Sequence, residues 1–494
     1  MFKRLSMAFF LCLLFTCGRT SAQGVCPLNG TASNKLVCVV PQVYGPFGLG
    51  SGATAPLLAN SHQAHFEGDF LSSFGPINEA VGIQVSQLPI ASPSSGITFT
   101  YDPALKTFAP SKEESLGPIL GERASTIGRR KLYVAFSFQY FNFNSIDGQD
   151  TSKLPSVVQH EPFPPPFPSP FITPCPNQTG LSGGYAGNPC FVRDFVQTVN
   201  NIDLTVHQYT IYATYGLTRH LDISVAIPLL SVDMRTTSNA TIVSNAQTVP
   251  SLQFPNGVFH QFDPALVPSC GSTRPCLQGS FANSGSSQGI GDVTLRGKYE
   301  VYQGERFGAA AGLDLRLPTG EAENFLGSGA TGVKPFAVVS YSARVSPHAE
   351  IGYEWNGDSI LAGDFVGPTA ANTKRALPNR FVYTVGADVS IVKRLTGAFD
   401  LYGQRLFGVP QLFSSPYTDL GKCGDIACTT LTPGTTHPNL GVIANTDYNI
   451  LNASIGIKYK LVHNLVLTGN VLLKLNDSGL RSTAIPLVGA SYSF

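Results

Sequence analysis

TDYNILNASIGIKYKLV, residues 446–462, decides the fold. Its odd positions Leu451, Ala453, Ile455, Ile457, Tyr459 and Leu461 are apolar, whereas Asn452, Ser454, Gly456, Lys458 and Lys460 are polar or small. A period of two puts each set on its own face of an extended strand. Residues 464–475 repeat the pattern, with Leu465, Leu467, Val471, Leu473 and Leu475 set against Thr468, Asn470 and Lys474. In 381–391, Phe381, Tyr383, Val385, Ala387, Val389 and Ile391 alternate with Thr384, Gly386, Asp388 and Ser390. Strands of this kind suit a wall between lipid and water.

Outward from these stretches, the pattern recurs at 131–147, 201–216, 219–236, 289–303, 305–318, 333–346, 348–358, 378–392, 394–408, 447–461, 463–476 and 484–494. That is an even number of segments, as an up-and-down barrel requires. The connectors alternate between short turns, such as those at 216–219, 303–305, 346–347, 393–394 and 462–463, and loops at 148–200, 237–288, 319–332, 359–377, 409–446 and 477–483. Outer-membrane barrels segregate short periplasmic turns from long external loops in this way. The fold class predicted is therefore all-β, a transmembrane antiparallel up-and-down barrel of twelve strands.

Composition agrees. The 494 residues are 43% hydrophobic but only 13% charged, where a soluble domain carries about 25% charged residues. No run of eighteen apolar residues follows the N-terminal segment, which excludes a transmembrane helix. A net charge of +1 offers no electrostatic footprint for nucleic acid.

Residues 1–22 read as a signal peptide, with Lys3 and Arg4, an apolar run and a small-residue end at Thr20-Ser21-Ala22. Its removal takes Lys3, Arg4 and Arg19 from the 32 basic residues and none of the 31 acidic ones, leaving a net charge of −2. Eight cysteines then remain in four local couples: Cys26 with Cys38, Cys175 with Cys190, Cys270 with Cys276, and Cys423 with Cys428. An even count behind a secretion signal predicts disulfides rather than zinc ligands. Three of the couples fall in long loops.

The strand charges share a parity. Asp292, Arg296, Lys298 and Glu300 do so in one segment, Asp314 and Arg316 in the next, and Glu350, Glu354, Arg380, Asp388, Asp400, Lys458 and Lys474 follow the same rule. They are expected to line the lumen, selecting solutes, pairing into a network that holds the barrel's shape, or both. Tyr133, Tyr209, Tyr215, Tyr299, Tyr353, Trp355, Phe381, Tyr459 and Tyr492 lie near strand ends, where interfacial girdles form. The final strand carries Val488, Ala490, Tyr492 and Phe494 on one parity, and the C-terminal Phe494 is expected to be an assembly signal.

Residues 23–130 are less legible. Leu71, Phe74, Ile77, Val81, Val85 and Leu88 have partial helical spacing, and 92–111 reads as a hairpin around Asp102-Pro103. Two readings stay open: a plug inside the lumen, or a periplasmic arm whose hairpin raises the strand count to fourteen.

Several motifs fail on their chemistry. GSGATGVK, residues 327–334, lacks the Gly-Lys-Ser/Thr of a phosphate loop. His62 and His65 have no fixed acidic or cysteine partner, so no metal and no cofactor are expected. His220, His348 and His463 read as turn residues, and the external His160, His260 and His437 show no partner pattern for hydrolysis. The Pro-rich 161–176 reads as a stiff, extended external stretch.

YATYGLTRHLDISVAIPLLSVDM (212–234), GIGDVTLRGKYEVYQGERFGAAAGLDLRLPTGEAENFLGSGA (289–330), PHAEIGYEWNG (347–357) and NDSGLRSTAIPLVGASYSF (476–494) resemble the outer-membrane transporter family named for the meta-pathway of phenol degradation. PSSGITFTYDP (93–103) and GERASTIGR (121–129) are similar to what precedes such barrels. The resemblance implies a monomeric outer-membrane barrel that passes small, often hydrophobic or aromatic, compounds, and it assigns no binding residues. The expected function is passive transport of small solutes, not catalysis, with outer-membrane lipids, the barrel assembly machinery and the solute as partners. A structural or adhesive surface barrel, and an outer-membrane hydrolase, are the alternatives.

Overall fold

The computed structural model describes residues 26, 32–45, 77–85, 99–102, 107–110, 115–159, 193–245, 260–262, 267, 275–364, 373–422, 424, 430–462 and 464–494. Twelve strands form the wall: β1 Leu132–Ile146, β2 Phe195–Gly216, β3 Leu221–Val243, β4 Val293–Gln303, β5 Phe307–Leu317 and β6 Gly332–Tyr341, then β7 Val345–Asn356, β8 Arg380–Val392, β9 Leu395–Ser414, β10 Leu440–Val462, β11 Leu465–Lys474 and β12 Ala484–Ser493. Each pairs antiparallel with its sequence neighbours, and β12 returns to β1. That seam runs from Leu487 opposite Gln139 to Ser493 opposite Tyr133, and the Phe494 N–H donates to the Leu132 carbonyl at 2.8 Å. No edge remains at membrane depth, so the wall's backbone polar groups are satisfied without water.

All twelve strands read from the sequence are present. The proposed extra hairpin also forms, with Phe99–Asp102 paired to Thr107–Pro110. It makes a separate two-stranded sheet, which overturns the fourteen-strand alternative. The N-terminal stretch does contain a helix, described over residues 77–85.

Alternation sorts the side chains as the period of two demands. Phe136, Ile211, Leu313, Ile351, Val385, Phe399, Ile457 and Val488 are exposed on the outer face, Val385 by 55%, while Asp388 and Asp400 between or beside them are fully buried. An outer surface this apolar is matched to hydrocarbon. Most aromatics fall as expected: Tyr209, Tyr215, Tyr299, Trp355, Tyr459 and Tyr492 are exposed. Tyr133 is the correction, being buried and turned inward, because it shares parity with Ala135 and Ser137 rather than with the outward Leu132, Val134 and Phe136.

Strand lengths are uneven. β2, β3, β9 and β10 have 22, 23, 20 and 23 residues, about twice the 9–11 needed to cross a bilayer. Their outer positions turn polar above the apolar band, as with Asn201, Asp203, Asp233 and Arg235. They rise beyond the membrane at the long-loop end, where Gln278–Ile290 pairs with β3 and Leu154–Gln159 with β2.

Candidate functional site

The charged parity faces the interior and pairs across neighbouring strands. Register puts Asp314 opposite both Arg296 and Lys334, and Glu354 opposite Arg380. Arg296 grips Asp314 with two bonds, Nε to Oδ1 at 2.6 Å and Nη2 to Oδ2 at 2.7 Å. Lys334 Nζ lies 3.0 Å from Asp314 and 3.8 Å from Glu350. Arg316 reaches Glu354 at 3.0 Å and Asp292 at 3.7 Å, and Arg380 meets Glu354 at 2.6 Å and Gln404 at 2.7 Å. The result is a belt of alternating sign across β4 to β8, ending on Gln404 of β9. The acidic members and Arg316 are buried and Arg296, Lys334 and Arg380 are mostly so, so removing one partner of a buried acid would strand the other at a cost of up to about 3–5 kcal/mol.

Nearer the short turns, a second set of wall groups bonds to residues 115–127, every one of which is buried. Asp388 of β8 accepts from Ser115 and, at 2.9 Å, from Arg123. Thr396 and Asp400 of β9 accept from the N–H of Leu116 at 2.8 Å and of Leu120 at 3.3 Å. Lys298 of β4 donates to Glu122 at 2.9 Å and to the carbonyls of Arg123 and Ser125 at 3.0 and 2.9 Å. Ser340 of β6 accepts from the Ala124 N–H at 3.1 Å and Asp222 of β3 from the Ile127 N–H at 2.9 Å. Lys458 of β10, 1% exposed, donates to the Pro118 and Leu116 carbonyls. The segment follows no strand and has no helix, so wall side chains satisfy its backbone.

His348 and Gly121 fix the closest approach. His348 Nε2 lies 2.6 Å from Asp400 and Nδ1 is 3.6 Å from Asp388. A Cβ on Gly121 would stand 2.4 Å from His348 Nε2, so only glycine lets the chain pass there. His348 is thus a buried side chain of β7, not the turn residue expected from its place beside Pro347.

The long-loop end has the opposite character. Phe143, Ile146, Ile202, Leu204, Val232, Met234 and Leu480 are buried in one apolar cluster with Leu36, Val37, Val40, Ile77, Val81 and Val85. Residues 32–45 and the helix at 77–85 therefore pack against the inner face by burial. Their polar ties are fewer. Lys35 pairs with Glu321 and, at 3.3 Å, with Glu323; Asn324 accepts from the Leu36 N–H at 3.2 Å; Asn283 donates to the Val39 carbonyl at 3.1 Å; and Tyr44 meets Ser238 at 2.7 Å. A narrow apolar void remains between the helix and the wall, bounded by Ile77, Val81, Phe143, Ile146, Thr151, Ile202, Leu204 and Leu480.

Three acids outside the wall strands show how environment sets charge here. Burial pushes the Glu79 carboxyl up to about 7, against a pull downward from Arg375. Burial likewise raises Asp147, although the N–H groups of Leu412 and Gly479 oppose it. For Asp419 burial is outweighed by His437 and two backbone N–H groups, leaving it below the usual carboxylate range.

Every charged position singled out in the sequence lies on the buried side or at its margin; Lys474, at the top of β11, bonds Asp477 at 2.8 Å. Pattern reading missed Asp222 and Lys334, which parity with Ser224 and Phe336 would have found, and also Glu122, Arg123 and His348. The external histidines are a correction as well: His260 Nδ1 bonds Asp194 at 2.7 Å, and His437 Nε2 bonds Asp419 at 2.8 Å under the rings of Phe195 and Tyr417. Cys26 is bonded to Cys38, and Cys276 is in a disulfide. Cys175, Cys190, Cys270, Cys423 and Cys428, the signal peptide, His62, His65, His160, His463 and the Pro-rich stretch lie outside the described residues. Among the described residues no group of three His, Cys, Asp or Glu could hold a metal, and no helix is long and apolar enough to cross a membrane.

The family model described as "Putative MetA-pathway of phenol degradation" matches residues 183–400, in agreement with the resemblance carried by the quoted motifs. Among solved structures, an outer membrane channel from Pseudomonas putida F1 is similar at 11% identity and TM-score 0.39, over 75% of this chain and 98% of that one. The NanC porin is similar at 7% identity and TM-score 0.30, over 60% and 98%. The translocator domain of the autotransporter NalP from Neisseria meningitidis follows at 6% identity and TM-score 0.23, over 74% and 89%. No curated protein sequence matches.

Proposed function

We propose that the protein is a bacterial outer-membrane channel that lets small solutes cross passively, with its N-terminal segment lying in the lumen as a plug. The observation that carries this reading is the pairing of opposites in one closed wall: exposed apolar residues on the outside, and buried charges such as Asp314, Arg316 and Glu354 on the inside. A wall built only for strength would need no charged interior, since well-packed apolar residues of similar size are often as stable. The belt gives a permeating solute fixed charges of both signs to pass. The family resemblance favours small hydrophobic or aromatic compounds as cargo. Phe494, exposed at the end of the closing strand, suits recognition by the barrel assembly machinery.

Purified protein in a planar bilayer should show discrete openings, and liposomes containing it should take up small aromatic compounds faster than sugars of similar size. A folded barrel that never conducts would overturn the channel reading. Equal uptake of both classes would overturn the choice of cargo.

A further inference from the structure

Resting on that channel reading, we propose that the plug is two devices in one chain. Residues 115–127 are a fixed collar that stays in the lumen and sets its selective constriction. Residues 32–45 and the helix at 77–85 are the closure that moves.

The collar is bonded around the ring rather than to one side. Its hydrogen bonds reach β3, β4, β6, β8, β9 and β10 through Asp222, Lys298, Ser340, Asp388, Asp400 and Lys458, and it touches the remaining two of these eight consecutive strands at Gly308 and His348. Its backbone N–H groups go to charged or hydroxyl side chains, and bonds to charged groups are the stronger ones. Withdrawal would break these bonds together and leave Lys458 and Lys298 without the carbonyls that hold them. The chain also continues directly into β1, with the Arg130 N–H on the Gly216 carbonyl at 2.7 Å, so the collar has no slack at that end.

The closure is held differently. Its contacts with the wall are chiefly apolar and non-directional; its polar ties at Lys35, Leu36, Val39 and Tyr44 reach β3, the Gln278–Ile290 strand and the loop at 321–324, Tyr44 also bonds Thr198 of β2, and Gln84 bonds Tyr448 of β10. A segment held chiefly by burial can shift without breaking a ring of directed bonds at once. The collar's position also makes it specificity-determining, because Glu122 lies between Arg296 at 2.8 Å and Lys298 at 2.9 Å and any solute reaching the short-turn end must pass it.

Hydrogen exchange on the full-length protein in detergent micelles tests the division without requiring conduction. The amides of Leu116, Leu120, Ala124 and Ile127 should exchange at least tenfold more slowly than those of residues 36–45 and 78–85. Equal or reversed protection would overturn the proposal. Paired cysteines then test it in bilayers, with wild-type protein under the same reductant as reference. A Cβ on Gly308 would lie 3.1 Å from that of Ala124, and one on Gly82 would lie 3.1 Å from the Leu361 side chain. Oxidised Gly82→Cys/Leu361→Cys should lose at least tenfold in open probability and recover on reduction, while oxidised Ala124→Cys/Gly308→Cys stays within twofold of wild type. Silencing by the second lock, or by neither, would overturn the division. Wild-type protein that never opens would instead defeat the channel reading, and the exchange data would still decide whether collar and closure differ.

Discussion

The two ends of the barrel interior solve the same packing problem with different chemistry. At the short turns, residues 115–127 meet Asp388, Asp400, Lys298 and Lys458 through directed bonds. At the long loops, Leu36, Val40, Ile77 and Val81 share an apolar cluster with Ile202, Leu204 and Val232, and directed bonds are fewer. Directed bonds are specific and fail together, whereas apolar burial tolerates displacement and is lost in proportion to area. The difference teaches that a filled lumen need not be a uniformly fixed one.

The comparison can be broken most severely at Asp388. Asp388→Ala removes the partner of Arg123, Ser115 and His348, leaving buried cations uncompensated. A loss of about 3–5 kcal/mol is expected, read as a lower urea midpoint by gel mobility of the folded barrel. At the other end, Leu36→Ala empties a fully buried site and should cost about 2–5 kcal/mol of closure docking. Its distinguishing readout is a raised open probability, which Asp388→Ala should not share. An unchanged open probability would show that the long-loop end is as fixed as the collar.

Gly121→Ala should cost about 1–3 kcal/mol through overpacking against His348, and its melting point compared with Gly308→Ala would locate the tighter pass. The pH response should separate the ends further. Glu79 holds its proton in the docked helix up to about 7, so its contribution is fully present below the ordinary carboxylate value near 4.5 and is lost as pH rises through 7. Relative to residues 116–127, exchange of the 78–85 amides should speed up between pH 6 and 8, and Glu79→Gln should abolish that relative change. The smallest effect belongs to the belt. Asp292→Asn or Arg296→Gln should shift the cation-to-anion permeability ratio by about twofold, since each removes one of many lumen charges, and an unshifted ratio would make the belt purely structural.

The wall was legible in the sequence because a half-buried strand writes its two environments into alternate residues. Ile455, Ile457 and Tyr459 could be separated from Ser454, Gly456 and Lys458 without coordinates, and the strands followed. The collar was not legible. GERASTIGR has neither a period of two nor one of 3.6, and it is held largely through backbone N–H and carbonyl groups, which every residue possesses. Glu122 and Arg123 were visible as charges, but their partners Arg296, Lys298 and Asp388 are 174–265 residues away and nothing local points to them. Tyr133 lies near a strand end yet faces inward, because parity and not position along the strand sets its side. The aspartate partners of His260 and His437 arise from loop geometry that spacing does not encode.

The seam between β1 and β12 also imposes an order of events. The first and last strands of the wall meet there, and the chain made before β1 is what fills the enclosure. The Cys26–Cys38 crosslink adjoins residues that touch the long-loop end, while the chain leaves the interior at the short-turn end. Threading it afterwards would mean dragging a crosslinked loop through the full length of a finished lumen. We therefore expect the wall to close around its contents, with a contact between residues more than 340 positions apart as the last stitch. Such distant pairing is slow to form, which leaves the two open edges and the apolar filling exposed together until β12 arrives.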